Sequence, residues 1–475
     1  MKSKTRTSRL GNFLLVIIFI LSTAYFIYQH SASLSWDFEV YILNAKHWVY
    51  NSQFFEIGRA PMASLFLAVF LLAGESAPYL YIVFVSALFF YSSVKLADAL
   101  KLSKLTVYIL SMNTAVLFIG LRVGSELLSL ALLELFICGI LLKKEKGGLF
   151  LGFAFLARYN SMIFLPLLLF YKKPSRILKA CLFFLIPVVL WLLFCQLAYG
   201  HFLYSVADEY AKNVFYRTDI IERVKLMHFI DILGFLLPIM LSGIIFFLLE
   251  LKKSKLQDWL MIAVAVLAVY SYVFVPVKLA RYLFMLLLPA VFFSAKSLSK
   301  LKPVLKYSIL SLFLILTLLS IAWLDKASCA SPDRQTREHY ISVKDKILEL
   351  NADNCSVKSN AYVFLNSAGI LSTDAPRKEL FEYYYDKGYV IVLDESIPYP
   401  GYADLKSYNH LYRGEDYVVI RNPAKCERKG DFSGSYLVQL KEIVLLWKNK
   451  AIETDPCVIL FNSTVLRNVC GHEPD

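Results

Sequence analysis

Eleven apolar runs, each parted from the next by a short polar or basic segment, constrain this chain more than any other feature. A bilayer core about 30 Å thick takes about 20 residues of helix at about 1.5 Å per residue. Backbone crosses it only when its hydrogen bonds are closed internally, as in a helix. The runs cover residues 11–29, 79–95, 105–121, 126–142, 147–157, 161–171, 177–199, 229–250, 259–276, 282–295 and 304–323. The fifth and sixth are short, and read also as one long helix broken near Arg158. The chain has 475 residues, is 58% hydrophobic and has a mean hydropathy of +0.55, more apolar than a water-soluble domain requires. An α-helical polytopic membrane protein with about eleven transmembrane helices is expected.

Basic residues near a span resist translocation, so their placement orients the chain. Lys2, Lys4, Arg6 and Arg9 precede the first run, and further clusters lie at Lys95/Lys101/Lys104, Lys143/Lys144/Lys146, Lys172/Lys173/Arg176/Lys179, Lys252/Lys253/Lys255 and Lys296/Lys300/Lys302/Lys306. With eleven spans every cluster is cytoplasmic, as is the N-terminus. Counting residues 62–73 as another span would expel four clusters, so that stretch is read as an interfacial or re-entrant segment. The first run is long and lacks a small-residue cleavage site, and is read as retained. The net charge of +13 sits in these loop clusters, the pattern of membrane loops rather than of nucleic-acid binding. The expected location is the plasma membrane or the endoplasmic reticulum, among membrane lipids.

Composition turns mixed and polar from Asp325 onward. The chain therefore divides into a transmembrane module, 1–324, and a soluble extracytoplasmic domain, 325–475. Helical spacing at 343–350 and 378–385, with strand patterns at 356–365, 389–393 and 417–421, suggests a small α/β fold. It holds no nucleotide-binding glycine loop, metal-ligand spacing or triad motif. Cys138, Cys181 and Cys195 lie within apolar runs, while Cys329, Cys355, Cys426, Cys457 and Cys470 lie in the C-terminal segment. Five permit at most two disulfides, in a pairing that spacing does not choose, and an oxidising compartment would allow them. Sequons stand at Asn354 and Asn462.

Polar residues next to spans are costly unless they face a cavity or water, so chemistry is sought there. Segment 31–61 carries Asp37, Glu39, Tyr41, Lys46, His47, Glu56 and Arg59. Arg122, Ser125 and Glu126 follow the third run, Arg158 and Tyr159 follow the fifth, and Lys278, Arg281 and Tyr282 precede the tenth.

Trp36-Asp37-Phe38-Glu39-Val40-Tyr41, then Ala45 and Gly58-Arg59-Ala60-Pro61, resembles the first outer loop of GT-C glycosyltransferases, in which an acidic residue beyond the first span precedes an Arg-Pro-Pro-like element. Ala60 stands where the first proline is usual. Arg122 to Leu127 resembles that superfamily's second outer acidic turn, and residues 152–166 (GFAFLARYNSMIFLP) its leucine–Lys/Arg turn. Tyr199-Gly200 and the stretch from Arg281-Tyr282-Leu283 to Pro289 resemble two later landmarks. The match spans roughly residues 10–300 and is nearest to the protein O-mannosyltransferase and lipid A aminoarabinose transferase branches. It implies transfer of a sugar from a polyprenyl-phosphate donor, of the dolichyl-phosphate type, to an acceptor hydroxyl on a glycan, lipid or protein at the extracytoplasmic face. No cofactor is required, and nothing calls for a divalent metal.

Such a transfer needs a group to take the acceptor's proton and cations for the leaving phosphate. The resemblance makes Asp37 the general base; the alternative is a helix cap over 38–50. Glu39, two residues on, points to another helix face and is a second choice, with Tyr41 in the same outer cavity. Glu126 either orients the acceptor or favours its helix dipole. Arg158, Arg281, Arg59 and Lys278 are candidates for the donor phosphate, against interfacial snorkelling. His47, His201 and His228 lack the paired spacing of a metal site. Segment 202–228 reads as an interfacial amphipathic helix or a solvated loop. The rival function is a transporter or flippase of a lipid-linked substrate, which would favour charges near the midplane and repeated halves; here the charges gather at one set of span ends.

Overall fold

The computed structural model describes residues 2–216, 223–275, 278–330, 335–397, 405, 408–428 and 435–449, without the side chains of 2–9, 213–216, 328–330 and 379. Arg217, Cys457, Cys470, the Asn462 sequon and the Cys329 side chain lie outside the described residues. The chain forms two compact units: Met1–His30, Ala60–Phe202 and Ile221–Ala327 in the first, and Ser31–Arg59, Leu203–Ile220 and Ser328–Asp475 in the second. The second thus gathers the C-terminal segment with two segments that precede residue 325.

The first unit is helical. Among the described residues, six helices are long and apolar enough to cross a membrane: Leu10–Ala32, Met62–Leu100, Pro174–Tyr199, Leu256–Phe274, Ala280–Leu298 and Pro303–Ala327. A seventh crossing arises if Leu226–Leu233 and Leu236–Leu249, bent by 97°, form one span. Leu190, Leu197, Val304 and Leu319 are exposed, as lipid-facing side chains would be. The helix Glu126–Leu141 is apolar nearly all round and is enclosed by its neighbours from Glu126 to Ile140.

Several of the eleven runs are interrupted, each at an identifiable residue. Run 105–121 divides into Lys104–Ser111 and Thr114–Ile119, because Asn113 caps the second helix through Oδ1, which accepts from Val116 N at 2.9 Å. Gly147–Ala157 ends where Arg158 turns extended (φ −153°, ψ 117°), and Tyr159–Tyr171 follows as a 3₁₀ helix. The segment read as interfacial or re-entrant, 62–73, is helical from Met62 to Phe70 and breaks at Gly74 (φ 64°, ψ −135°) before Ala77–Leu100. At 39 residues, Met62–Leu100 exceeds what a single straight crossing needs.

The second unit is built on five strands, β1 Val357–Ser359, β2 Ser372–Asp374, β3 Val390–Asp394, β4 His410–Arg413 and β5 Tyr417–Ile420, in the order β2-β1-β3-β5-β4. β2, β1 and β3 are parallel, while β5 and β4 are antiparallel additions. Period-two alternation serves two cores: Val390, Val392 and Val419 pack with Tyr340 and Phe364 on one face, and Ile391, Leu393, Val418 and Ile420 with Phe381 on the other. The expected strand 356–365 is corrected: only β1 extends, and Tyr362–Ala368 is helix. Ser359 Oγ accepts from Ala361 N at 2.9 Å, and Asn360 binds both backbone groups of Asp394, which turns the chain out of the sheet. Cys355 and Cys426 form a disulfide.

Candidate functional site

Two clusters of charge carry the candidate residues, one in each unit. In the second unit the helix Trp36–Tyr50 begins after Ser35, whose side chain makes no cap bond, and Asp37 lies in its first turn, where its carboxylate pairs with Arg59 Nη1. Arg59 Nε donates to Glu56 Oε2 at 3.1 Å. Glu56 also meets Lys212 Nζ at 3.5 Å and accepts from the Tyr362 hydroxyl at 2.7 Å. The Tyr436 hydroxyl lies 2.9 Å from that of Tyr362. The peptide of Glu56 is latched in both directions by the Asn44 amide, each bond 2.9 Å.

This arrangement keeps two carboxylates and two cations in mutual balance. Burial pushes the Glu56 carboxyl up, but Lys212, Arg59 and the Tyr362 hydrogen bond together hold it below the usual carboxylate range. Burial opposes the Arg59 charge, and Asp37 and Glu56 more than restore it. The side chains of Asp37 and Glu56 differ in exposure, 13% against 2%, so Asp37 is the more accessible of the two carboxylates. Gly58 lies against the helix Tyr204–Tyr216 so closely that a Cβ there would come 2.8 Å from Glu209 N. Tyr41 is buried and contributes to the field at Arg59. Glu39 faces elsewhere: it is buried and accepts from Ser367 Oγ at 2.6 Å, and burial pushes its carboxyl up.

In the first unit Glu126 opens its helix, and Arg158 Nη1 donates to its Oε1 at 2.5 Å. Arg158, with Asn160, Ser161, Ser271, Arg281 and Tyr282 among others, lines a recess of about 330 Å³, solvent-facing space included. Arg158 and Arg281, 123 residues apart in sequence (281 minus 158), thus reach one recess. Two guanidiniums, hydroxyls and an amide make a surface suited to a phosphate. Lys278 is placed differently: its ammonium donates to Val273 O at 2.7 Å and to Val275 O, at the C-terminal end of Leu256–Phe274.

His47 Nδ1 lies 2.5 Å from Ser52 O, and His228 Nδ1 2.8 Å from the Tyr272 hydroxyl. Among the described residues no group of three or more His, Cys, Asp or Glu could hold a metal ion. Glu56 and Lys212 are visible in the sequence only as members of polar segments 31–61 and 202–228, and Tyr362 and Tyr436 belong to no motif. Only the Glu56-to-Arg59 spacing was a local signal, since the tyrosines lie more than 300 residues away.

No family model matches the chain, and no curated protein does. Among solved structures it is similar to the crystal structure of ArnT from Cupriavidus metallidurans bound to undecaprenyl phosphate, at 11% identity, covering 87% of this chain and 99% of that one, with a TM-score of 0.49.

Proposed function

We propose that the chain is a GT-C-type glycosyltransferase that moves a sugar from a polyprenyl-phosphate donor to an acceptor hydroxyl, with Asp37 as general base. The observation that carries this reading is the recess in which Arg158 and Arg281 meet, Arg158 being oriented by Glu126. The order of the sequence motifs supports the class. As the acceptor oxygen bonds to the anomeric carbon, its proton passes to Asp37, and the bond from that carbon to the phosphate oxygen breaks, its electron pair leaving with polyprenyl phosphate. A single displacement inverts the anomeric centre. The arginines stabilise the charge that grows on the departing phosphate. Arg59 and Lys278, already held by carboxylates and by backbone carbonyls respectively, are weaker candidates for that role.

The basic clusters support a cytoplasmic N-terminus, and the Cys355–Cys426 disulfide supports an oxidising compartment for the C-terminal domain. The test uses purified protein in lipid, short-chain polyprenyl-phosphate sugars and a panel of alcohol acceptors. Released polyprenyl phosphate and glycosylated acceptor are expected in equal amounts. Asp37→Asn should lose about a hundredfold or more in rate, and Arg158→Ala and Arg281→Ala should raise the donor KM. An Asp37→Asn variant as fast as the parent overturns the mechanism, and movement of intact donor across the bilayer without transfer would favour a flippase.

A further inference from the structure

Asp37 and Glu56 divide one guanidinium. Arg59 gives Nη1 to Asp37 and Nε to Glu56, so the orientation that presents the cation to Asp37 depends on Glu56 holding its other edge. Glu56 is in turn fixed by groups from three further segments: Lys212 at 3.5 Å, the Tyr362 hydroxyl at 2.7 Å and the Tyr436 hydroxyl at 3.5 Å. A buried carboxylate with so many partners is expensive to assemble, and the more exposed Asp37 lies only one guanidinium away.

We infer that Glu56 is a positioning residue for the base: by sharing Arg59 with Asp37, and itself meeting Lys212, it sets the pH above which Asp37 accepts the acceptor's proton. The inference rests on Asp37 being the base. The groups acting at this point are the cations Arg59 and Lys212, the carboxylates Glu56, Glu209 and Asp208, whose carboxyl burial pushes up to about 6, and the hydroxyls of Tyr41, Tyr362 and Tyr436. Cations favour the ionised, proton-accepting Asp37, and neighbouring anions oppose it. Neutralising Glu56 therefore eases Asp37 ionisation, while neutralising Lys212 hinders it. A group with only a packing role would produce neither change.

The experiment is the pH profile of transfer by the full-length protein, read at its acid limb. In Glu56→Gln the limb should move down by on the order of one pH unit, and in Lys212→Met it should move up by less. Glu56→Asp, which keeps the charge, should return the limb to its parent position. Asp37→Asn is measured alongside. If Asp37→Asn matches the parent, the base reading itself falls. If Asp37→Asn is inactive and the limb stays fixed in both charge variants, this inference falls and the base reading stands. Should Glu56→Gln not fold, Lys212→Met decides by the sign of its shift.

Discussion

Asp208 shows how a residue's chemistry here depends on distant partners. Its Oδ1 accepts from Ser435 Oγ at 2.7 Å and from Leu437 N at 2.9 Å, so it caps the helix Tyr436–Lys448 from 227 residues away. Its Oδ2 is buried with no hydrogen-bond partner among the described residues. Burial pushes the carboxyl up to about 6, against the two hydrogen bonds and with help from Glu56 and Glu209. A folded-state value above the ordinary 3.8 means that the folded protein binds the proton more tightly. The resulting stability is full below 3.8 and is lost as pH rises through about 6. Asp208→Asn keeps the Oδ1 acceptor and carries no charge, so it should gain up to about 3 kcal/mol over the parent at pH 8 and little at pH 4. Thermal unfolding at the two pH values checks this, and equal melting temperatures at pH 8 would refute it. Asp37 could be singled out from its motif, whereas the roles of Asp208 and Glu56 could not, because neither Ser435 nor Tyr362 is local.

Helix contacts in the first unit depend on glycines that read in sequence only as parts of apolar runs. A Cβ on Gly148 would lie 2.0 Å from Ala180 O, and one on Gly152 would lie 2.5 Å from Phe184 O, so Gly147–Ala157 and Pro174–Tyr199 pack backbone to backbone. Small residues four apart permit such close crossings in membranes, where association lacks a hydrophobic driving force. Gly148→Ala should therefore disrupt the fold, seen as loss of monodisperse protein in detergent. Gly11→Ala, with nothing within 4 Å of the added atom, should behave as the parent. If both variants purify alike, the proposed packing is wrong. The positions of most helices were legible from hydropathy. The break at Arg158 was legible as well, whereas those at Asn113 and Gly74 were less so, since a cap or a positive φ interrupts a helix without changing its apolar composition. Strand β1 was read too long for a related reason: the Asn360 amide ends it by bonding Asp394, across a separation of 34 residues.

At the scale of the whole molecule, the spacing of basic clusters predicts that the Lys143–Gly148 loop is cytoplasmic. A cysteine placed at Lys144 should react with a membrane-impermeant reagent only after the membrane is opened, and labelling from outside intact cells would overturn the orientation. The sequence by itself determined that the chain belongs in a bilayer, where its polar segments begin and which residue types border them. Those properties are local sums, since each apolar run carries its own transfer free energy whatever it packs against. Tertiary structure alone decided which charges act together: Arg59 with Asp37 and Glu56, Glu56 with Lys212 and Tyr362, and Arg158 with Glu126 and, across one recess, Arg281. Hydrogen bonds and close ion pairs act over a few ångströms, so they exist only where packing has already brought separate segments together.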